Sequence, residues 1–117
     1  MKLQDLRQFE QFSQLSDEQL ILIKPKLKLK RCNTAGEVII PRGYAKDLEF
    51  FLLQGSLLLT AEDDQQQEIT ANTPAARLSI ARLRPSLYEV TSAGPCQLLA
   101  ISGSLLTQQV QTSSLEQ

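Results

Sequence analysis

The chain contains no histidine. That absence removes the usual carrier of Ser/His and Cys/His nucleophilic catalysis, of imidazole acid–base chemistry and of most zinc sites. Catalysis by carboxylates alone stays formally open. However, Glu62, Asp63 and Asp64 stand beside three glutamines in what reads as a solvated turn between two apolar strands. The expectation is a protein that is not an enzyme and that carries no metal and no cofactor. Cysteine is scarce: Cys32 and Cys96 stand alone, without CxxC or metal spacing, and read first as small buried hydrophobes, with a disulfide or redox role as the alternative. No apolar run reaches the roughly 20 residues of a spanning helix, and the N-terminal MKLQDLRQFEQ has acids where a secretory signal would have an apolar block. A cytoplasmic location without membrane contact is expected. There is little excess charge of either sign, since 12 basic and 13 acidic residues leave a net charge of -1 and no general pull toward nucleic acid.

What is present is ordinary globular material, 42% hydrophobic and 21% charged over 117 residues, enough for one core that buries roughly two-thirds of the unfolded surface. Leu6, Phe9, Phe12 and Leu15 recur every third residue, which predicts a short amphipathic helix or a pair of helical turns. Ser16 opens a capping box, SDEQ, in which the serine oxygen accepts from a free backbone N–H while Gln19 answers; Leu20, Ile21 and Ile23 supply a buried face, and Pro25 ends the helix. The period then changes to two. KLKLKR places Leu27 and Leu29 opposite Lys26, Lys28 and Lys30, a half-exposed strand whose lysines guard against aggregation. EVII, two apolar segments bent at Gly55, EIT, LYEVTSA and CQLLAIS follow as short strands punctuated by glycine and proline. The expected fold is mainly β, an antiparallel β-roll or jelly-roll-like barrel with short N-terminal helices and a partial C-terminal helix. Residues 1–25 form its helical segment and 26–102 the roll. Residues 103–117 start a helix, capped by Ser102 or Ser104 with Leu105, Leu106 and Val110 on one side, and then dissolve into polar residues.

The motifs FSQLSDEQL, AGEVIIPRGY, LEFFLLQGSLLL and CQLLAIS, in that order, resemble the cyclic nucleotide-binding domain family. This is the β-roll of catabolite-activator-type regulators, kinase regulatory subunits and gated channels. The resemblance covers nearly the whole chain and implies that Gly36, Gly43 and Gly55 are turn glycines that need no ligand. It also implies a cassette for the cyclic nucleotide: a Gly-Glu pair opening a short helix, and an Arg followed by a small residue about ten positions later. Backbone N–H groups and the arginine hold the phosphate, and the glutamate accepts from the ribose. In this chain Ala75-Ala76 or Ala76-Arg77 falls at the first position, and Pro85-Ser86 or Ser86-Leu87 at the second. Arg84 is close but precedes Pro85, and no acidic side chain lies between Ile69 and Tyr88. The resemblance therefore implies a roll with a degenerate cassette that does not hold cAMP or cGMP in the family manner.

Three arginines remain to be explained. Arg77, Arg82 and Arg84 alternate with Leu78, Ile80 and Leu83, as expected of an irregular segment that lays apolar residues over the roll and turns its cations outward. A solvated basic rim, a contact with an acidic partner surface, and a site for another anionic ligand all fit, with Arg77, Arg82, Arg84 and Ser86 as the ligand or partner residues. The functional expectation is a regulatory or interaction module that signals to a protein partner or a downstream effector domain. A sensor of a cyclic or other anionic nucleotide is the alternative. A metal-holding cupin, which shares a double-stranded roll, lacks its histidine ligands here. In the family, long helices follow the roll, so the chain is expected to be the N-terminal module of a longer protein or a stand-alone remnant. No helix-turn-helix is present to read DNA.

Overall fold

A computed structural model describes residues 2–107. The apolar repeat of three produces two one-turn helices, α1 (Leu3–Leu6) and α2 (Glu10–Ser13). Phe9 N donates to Leu6 O, Phe12 N to Phe9 O and Leu15 N to Phe12 O. Such three-residue hydrogen bonding stacks side chains at every third position on one line, which is why the apolar period is three and not 3.6. All four of these side chains are buried. Helix α3 (Asp17–Ile23) starts at the capping box: Ser16 Oγ accepts from Gln19 N, and Gln19 Oε1 accepts from Ser16 N at 2.9 Å. A 3-10 turn containing Pro25 ends it. The apolar part of its inner face is Leu20 and Ile23, because Ile21 is 57% exposed, against expectation. Successive helical residues are 100° apart, so positions 20 and 23 share a face and 21 does not.

Seven strands follow: β1 (Lys28–Cys32), β2 (Val38–Ile40), β3 (Leu48–Gln54), β4 (Ser56–Thr60), β5 (Gln66–Thr70), β6 (Glu89–Ser92) and β7 (Cys96–Ser102). They form two antiparallel sheets, ordered β1-β7-β3 and β2-β6-β4-β5, which confirms the mainly β roll with short N-terminal helices. One core lies between the sheets and includes Phe50, Leu52, Leu57, Leu59, Val90 and Leu98. A second lies between the three-stranded sheet and the helices, with Phe9, Phe12, Phe51, Leu99 and Ile101. Side chains alternate along β3 and β7, so Phe50, Leu52 and Leu98 enter one core and Phe51, Leu99 and Ile101 the other. A sheet covered on both faces needs an unbroken apolar run, and FFLL, Phe50 to Leu53, is that run. Phe51 sits against Phe9 and Phe12 with ring centroids 5.1 and 4.9 Å away. Leu29, on the exposed edge strand β1, is itself exposed, unlike the buried position its alternation suggested.

The tips behave as their chemistry requires. Glu62, Asp63 and Asp64 form the exposed turn between β4 and β5. Gly55 adopts φ +87 between β3 and β4, where a Cβ would press on the Pro95 carbonyl and lie 2.7 Å from Cys96 Cβ. A helical turn opens at residues 103–107. Its cap is not the local serine alone: Asp47 accepts from Ser104 N at 3.1 Å, Ser104 Oγ at 2.7 Å and Ser102 Oγ at 3.1 Å. These bonds hold the Asp47 carboxyl below its ordinary value, the Ser104 hydroxyl contributing most. Val110 and the expected polar tail lie outside the described residues. Among the described residues no helix is long and apolar enough to cross a membrane.

Candidate functional site

The segment between β5 and β6 carries every site residue expected from the sequence. It begins as a 3-10 turn, Pro74–Arg77, with Pro74 in the first turn where a missing N–H costs nothing. Three ties fix the rest to the roll. Ile80 N donates to Phe50 O at 2.8 Å, while Gly43 N donates to Ser86 O and Ser86 N to Tyr44 O at 2.8 and 2.9 Å. Arg84 makes the third tie. Its guanidinium donates to the carbonyls of Leu48 (2.6 Å), Ala81 (2.5 Å), Leu83 (2.9 Å) and Lys46 (3.2 Å), and lies 5.1 Å from the Tyr44 ring centroid.

Arg84 therefore departs from the expected outward-facing row. It is half-buried and staples the segment to the chain entering β3. Ser86 is also committed: its Oγ donates to Tyr88 O at 2.8 Å and accepts from Tyr88 N at 3.3 Å, and the residue is buried. Arg77 and Arg82 do face solvent and make no hydrogen bond or ion pair among the described residues. Of the interleaved apolar residues, only Ile80 enters the core; Leu78 and Leu83 are exposed. The backbone explains the difference, since Ala81 takes φ 47 and turns the chain outward just after Ile80.

Between this segment and β4 lies a cleft of about 320 Å3. Leu59 from β4 lines it, with Leu78, Leu83, Leu87 and Tyr88. Its polar groups come from Ser79, Arg82 and Ser86. Ser79 is only 7% exposed, and its hydroxyl has no hydrogen-bond partner. A second, more polar cleft of about 510 Å3 lies on the far side of Arg82 and Arg84, beside Asp47 and Glu49. The sequence singled out Arg82 and Ser86 but not Ser79, Leu59, Leu87 or Tyr88. Leu59 is twenty or more positions from the others and reaches the cleft through strand pairing alone.

Gly36, Gly43 and Gly55 all take positive φ. The two thiols, which no sequence signal joined, are register partners on β1 and β7, both buried and both free. Burial foremost, and then the hydrogen bond shared with Cys32, pushes the Cys96 thiol up to about 11. No set of three or more metal-ligating side chains gathers among the described residues.

Two antiparallel sheets of this order, preceded by short helices and crossed by an irregular segment between β5 and β6, match solved structures over almost the whole chain. The fold is cyclic nucleotide-binding-like. The sensor domain of the transcriptional regulator DNR from Pseudomonas aeruginosa aligns with TM-score 0.78 and 16% identity over 95% of this chain and 81% of that one. The regulatory domain of Toxoplasma gondii PKA with cAMP aligns with TM-score 0.72 and 17% identity over 97% of this chain and 45% of the other. The regulatory subunit of a cAMP-independent protein kinase A from Trypanosoma brucei aligns with TM-score 0.72 and 12% identity, over 97% of this chain and 44% of the other. This chain thus spans less than half of those kinase regulatory chains. No protein-family model matches the sequence, and no curated protein sequence matches it.

Proposed function

We propose that this cyclic nucleotide-binding-like domain is a non-catalytic regulatory module that does not hold cAMP or cGMP in the family manner. It passes its signal to a protein partner or a downstream effector domain, with the unpaired Arg77 and Arg82 as the contact for an acidic surface. One observation carries this reading: the segment where the family's cassette falls has no acidic side chain, and its best-placed arginine, Arg84, spends its donors on four backbone carbonyls. A ribose hydroxyl pair buried without its acceptor leaves a donor unsatisfied at about 1–3 kcal/mol. A phosphate deprived of its charge-assisted arginine bonds loses about 1.5–3 kcal/mol more. Together these weaken affinity by roughly two to four decades.

Calorimetric titration of the chain with cAMP and cGMP tests the first half of the reading. No heat of binding is expected up to about 1 mM nucleotide, and a dissociation constant near or below about 10 µM contradicts it. For the second half, the partner once identified is titrated against a variant with Arg77 and Arg82 changed to Glu. Undiminished binding refutes the contact. The alternative reading, a sensor of a cyclic or other anionic nucleotide, is favoured by solved structures of this fold that hold cAMP. Thermal shift separates the two, because a ligand at a hundredfold over its dissociation constant adds about 2.7 kcal/mol.

A further inference from the structure

We propose that the cleft between Leu59 and residues 75–88 binds a small amphiphilic monocarboxylate, its apolar body against the leucines and its carboxylate on Arg82. The inference rests on the reading above, that this site takes no cyclic nucleotide in the family manner, and names the class of ligand that suits what is there; Arg82 then serves the ligand when it is bound, and Arg77 is left to the partner contact.

Three features of the cleft converge on this class. Its wall is apolar where a nucleotide base and sugar would need polar partners: Leu59, Leu78, Leu83, Leu87 and Tyr88 line it. Leu83 and Leu87 are 65% and 63% exposed, so a hydrocarbon body seated there removes large apolar surface from water. The second feature is Ser79, a residue of the cleft wall that is more than nine-tenths buried and whose hydroxyl has no partner. Buried hydroxyls are almost always satisfied, and one left unpaired beside a cleft calls for a ligand atom or a water to serve it. Ser86, the neighbouring hydroxyl, is already closed onto Tyr88 and does not compete. Arg82 is the third. It lines the same cleft and has no ion pair or hydrogen bond, whereas Arg84, two residues on, is held by backbone carbonyls. A planar guanidinium matches a carboxylate with two parallel bonds.

The head group is a single anion and not a polyol. No carboxylate exists between Ile69 and Tyr88 to accept from sugar hydroxyls. A volume of about 320 Å3 is at the small end of ligand sites, which run from about 300 to 1,000 Å3, and it suits a short chain or a single ring system.

The test is a calorimetric and 15N NMR titration of the chain with three probes: decanoate, 1-decanol of the same chain length without the charge, and cAMP. Decanoate is expected to bind with a dissociation constant of about 10–100 µM. Its largest shifts fall on the amides of Ser79, Arg82 and Leu87. Arg82→Gln, a change at an exposed side chain, is expected to weaken decanoate about tenfold and leave decanol unchanged. Ser79→Ala is expected to weaken decanoate severalfold. Failure of decanoate to bind at about 1 mM overturns the inference while leaving the proposed function standing, the Ser79 hydroxyl then being served by water. Equal affinity of decanoate for wild type and Arg82→Gln overturns it too. Binding of cAMP in this cleft overturns the underlying reading as well, and is told apart by the probe that gives the heat.

Discussion

Replacing Arg84 by methionine separates a structural arginine from a ligand-holding one. Two of its bonds, to the carbonyls of Leu48 and Ala81, are partly buried, and two, to Lys46 and Leu83, are exposed. Hydrogen bonds to a charged group contribute about 1.5–3 kcal/mol each when dry. Because the residue is only half-buried and one guanidinium serves all four, the two partly buried bonds are taken at about 1–1.5 kcal/mol each and the exposed two at nearly nothing. The Tyr44 ring adds about 0.5–1 kcal/mol. Arg84→Met is therefore expected to cost about 2.5–4 kcal/mol, a large part of the roughly 5–15 kcal/mol that holds a domain of this kind. In a thermal melt that is a fall of about 10–20 °C. Arg84→Lys should recover less than half of the loss, since an ammonium cannot span carbonyls arranged around a planar fork. Arg77→Met and Arg82→Met should each cost under about 0.5 kcal/mol, as exposed cations without partners. Urea denaturation of the four variants reads these values directly. If Arg84→Met is as harmless as Arg77→Met, the stapling role is wrong and Arg84 returns to the list of cations waiting for a ligand.

Three further outcomes follow from the geometry. Gly55→Ala should destabilise by about 2–5 kcal/mol, from the left-handed backbone and the overlap with Pro95 and Cys96. Gly36→Ala meets open space and should lose only the backbone part, about 1–2 kcal/mol, so equal melting points for the two variants would contradict the close approach. Asp47 has a lowered folded pKa, so its contribution is complete above the ordinary carboxylate value of 3.8 and is lost as pH falls through the folded value. The gap in melting temperature between wild type and Asp47→Asn should close as pH is lowered from about 6 to 2, and a gap constant over that range would refute the cap. Cys96 runs in the opposite sense: raised from 9.0 to about 11, its thiol contributes fully below pH 9.0, and that contribution is lost as pH rises to about 11 because the unfolded thiol ionises first. Cys96→Val should flatten the alkaline fall in stability, which is at most about 1.4 kcal/mol per pH unit; an unchanged alkaline profile would assign the fall elsewhere.

Much of the fold is written locally. A capping box is four consecutive residues, a three-residue apolar repeat dictates its own helical turns, and a glycine between two apolar runs announces a bend. These features place α1 to α3, the strand segments along the chain and the turns at Gly36, Gly43 and Gly55, because each depends on backbone geometry within a few residues. Burial on one face was harder to read at the edges. Leu29 and Ile21 have apolar side chains in the right grammar, yet Leu29 lies on the edge strand β1 and Ile21 points off the inner face of α3, and both are exposed.

Composition and local residue order are enough to dictate a histidine-free antiparallel roll with no acid between Ile69 and Tyr88. The register that sets Cys32 beside Cys96, the capping of the turn at residues 103–107 by Asp47 from fifty or more residues away, and the inward turn of Arg84 while Arg82 stays free all depend on long-range packing. Leu59 and Ser79 likewise share a cleft only after β4 has taken its place in the sheet. The physical reason is range. Periodicity and turn chemistry act through neighbouring dihedrals, whereas a hydrogen-bond partner or a cavity wall depends on which distant segments the two cores bring together, and the linear order of residues carries no direct mark of that.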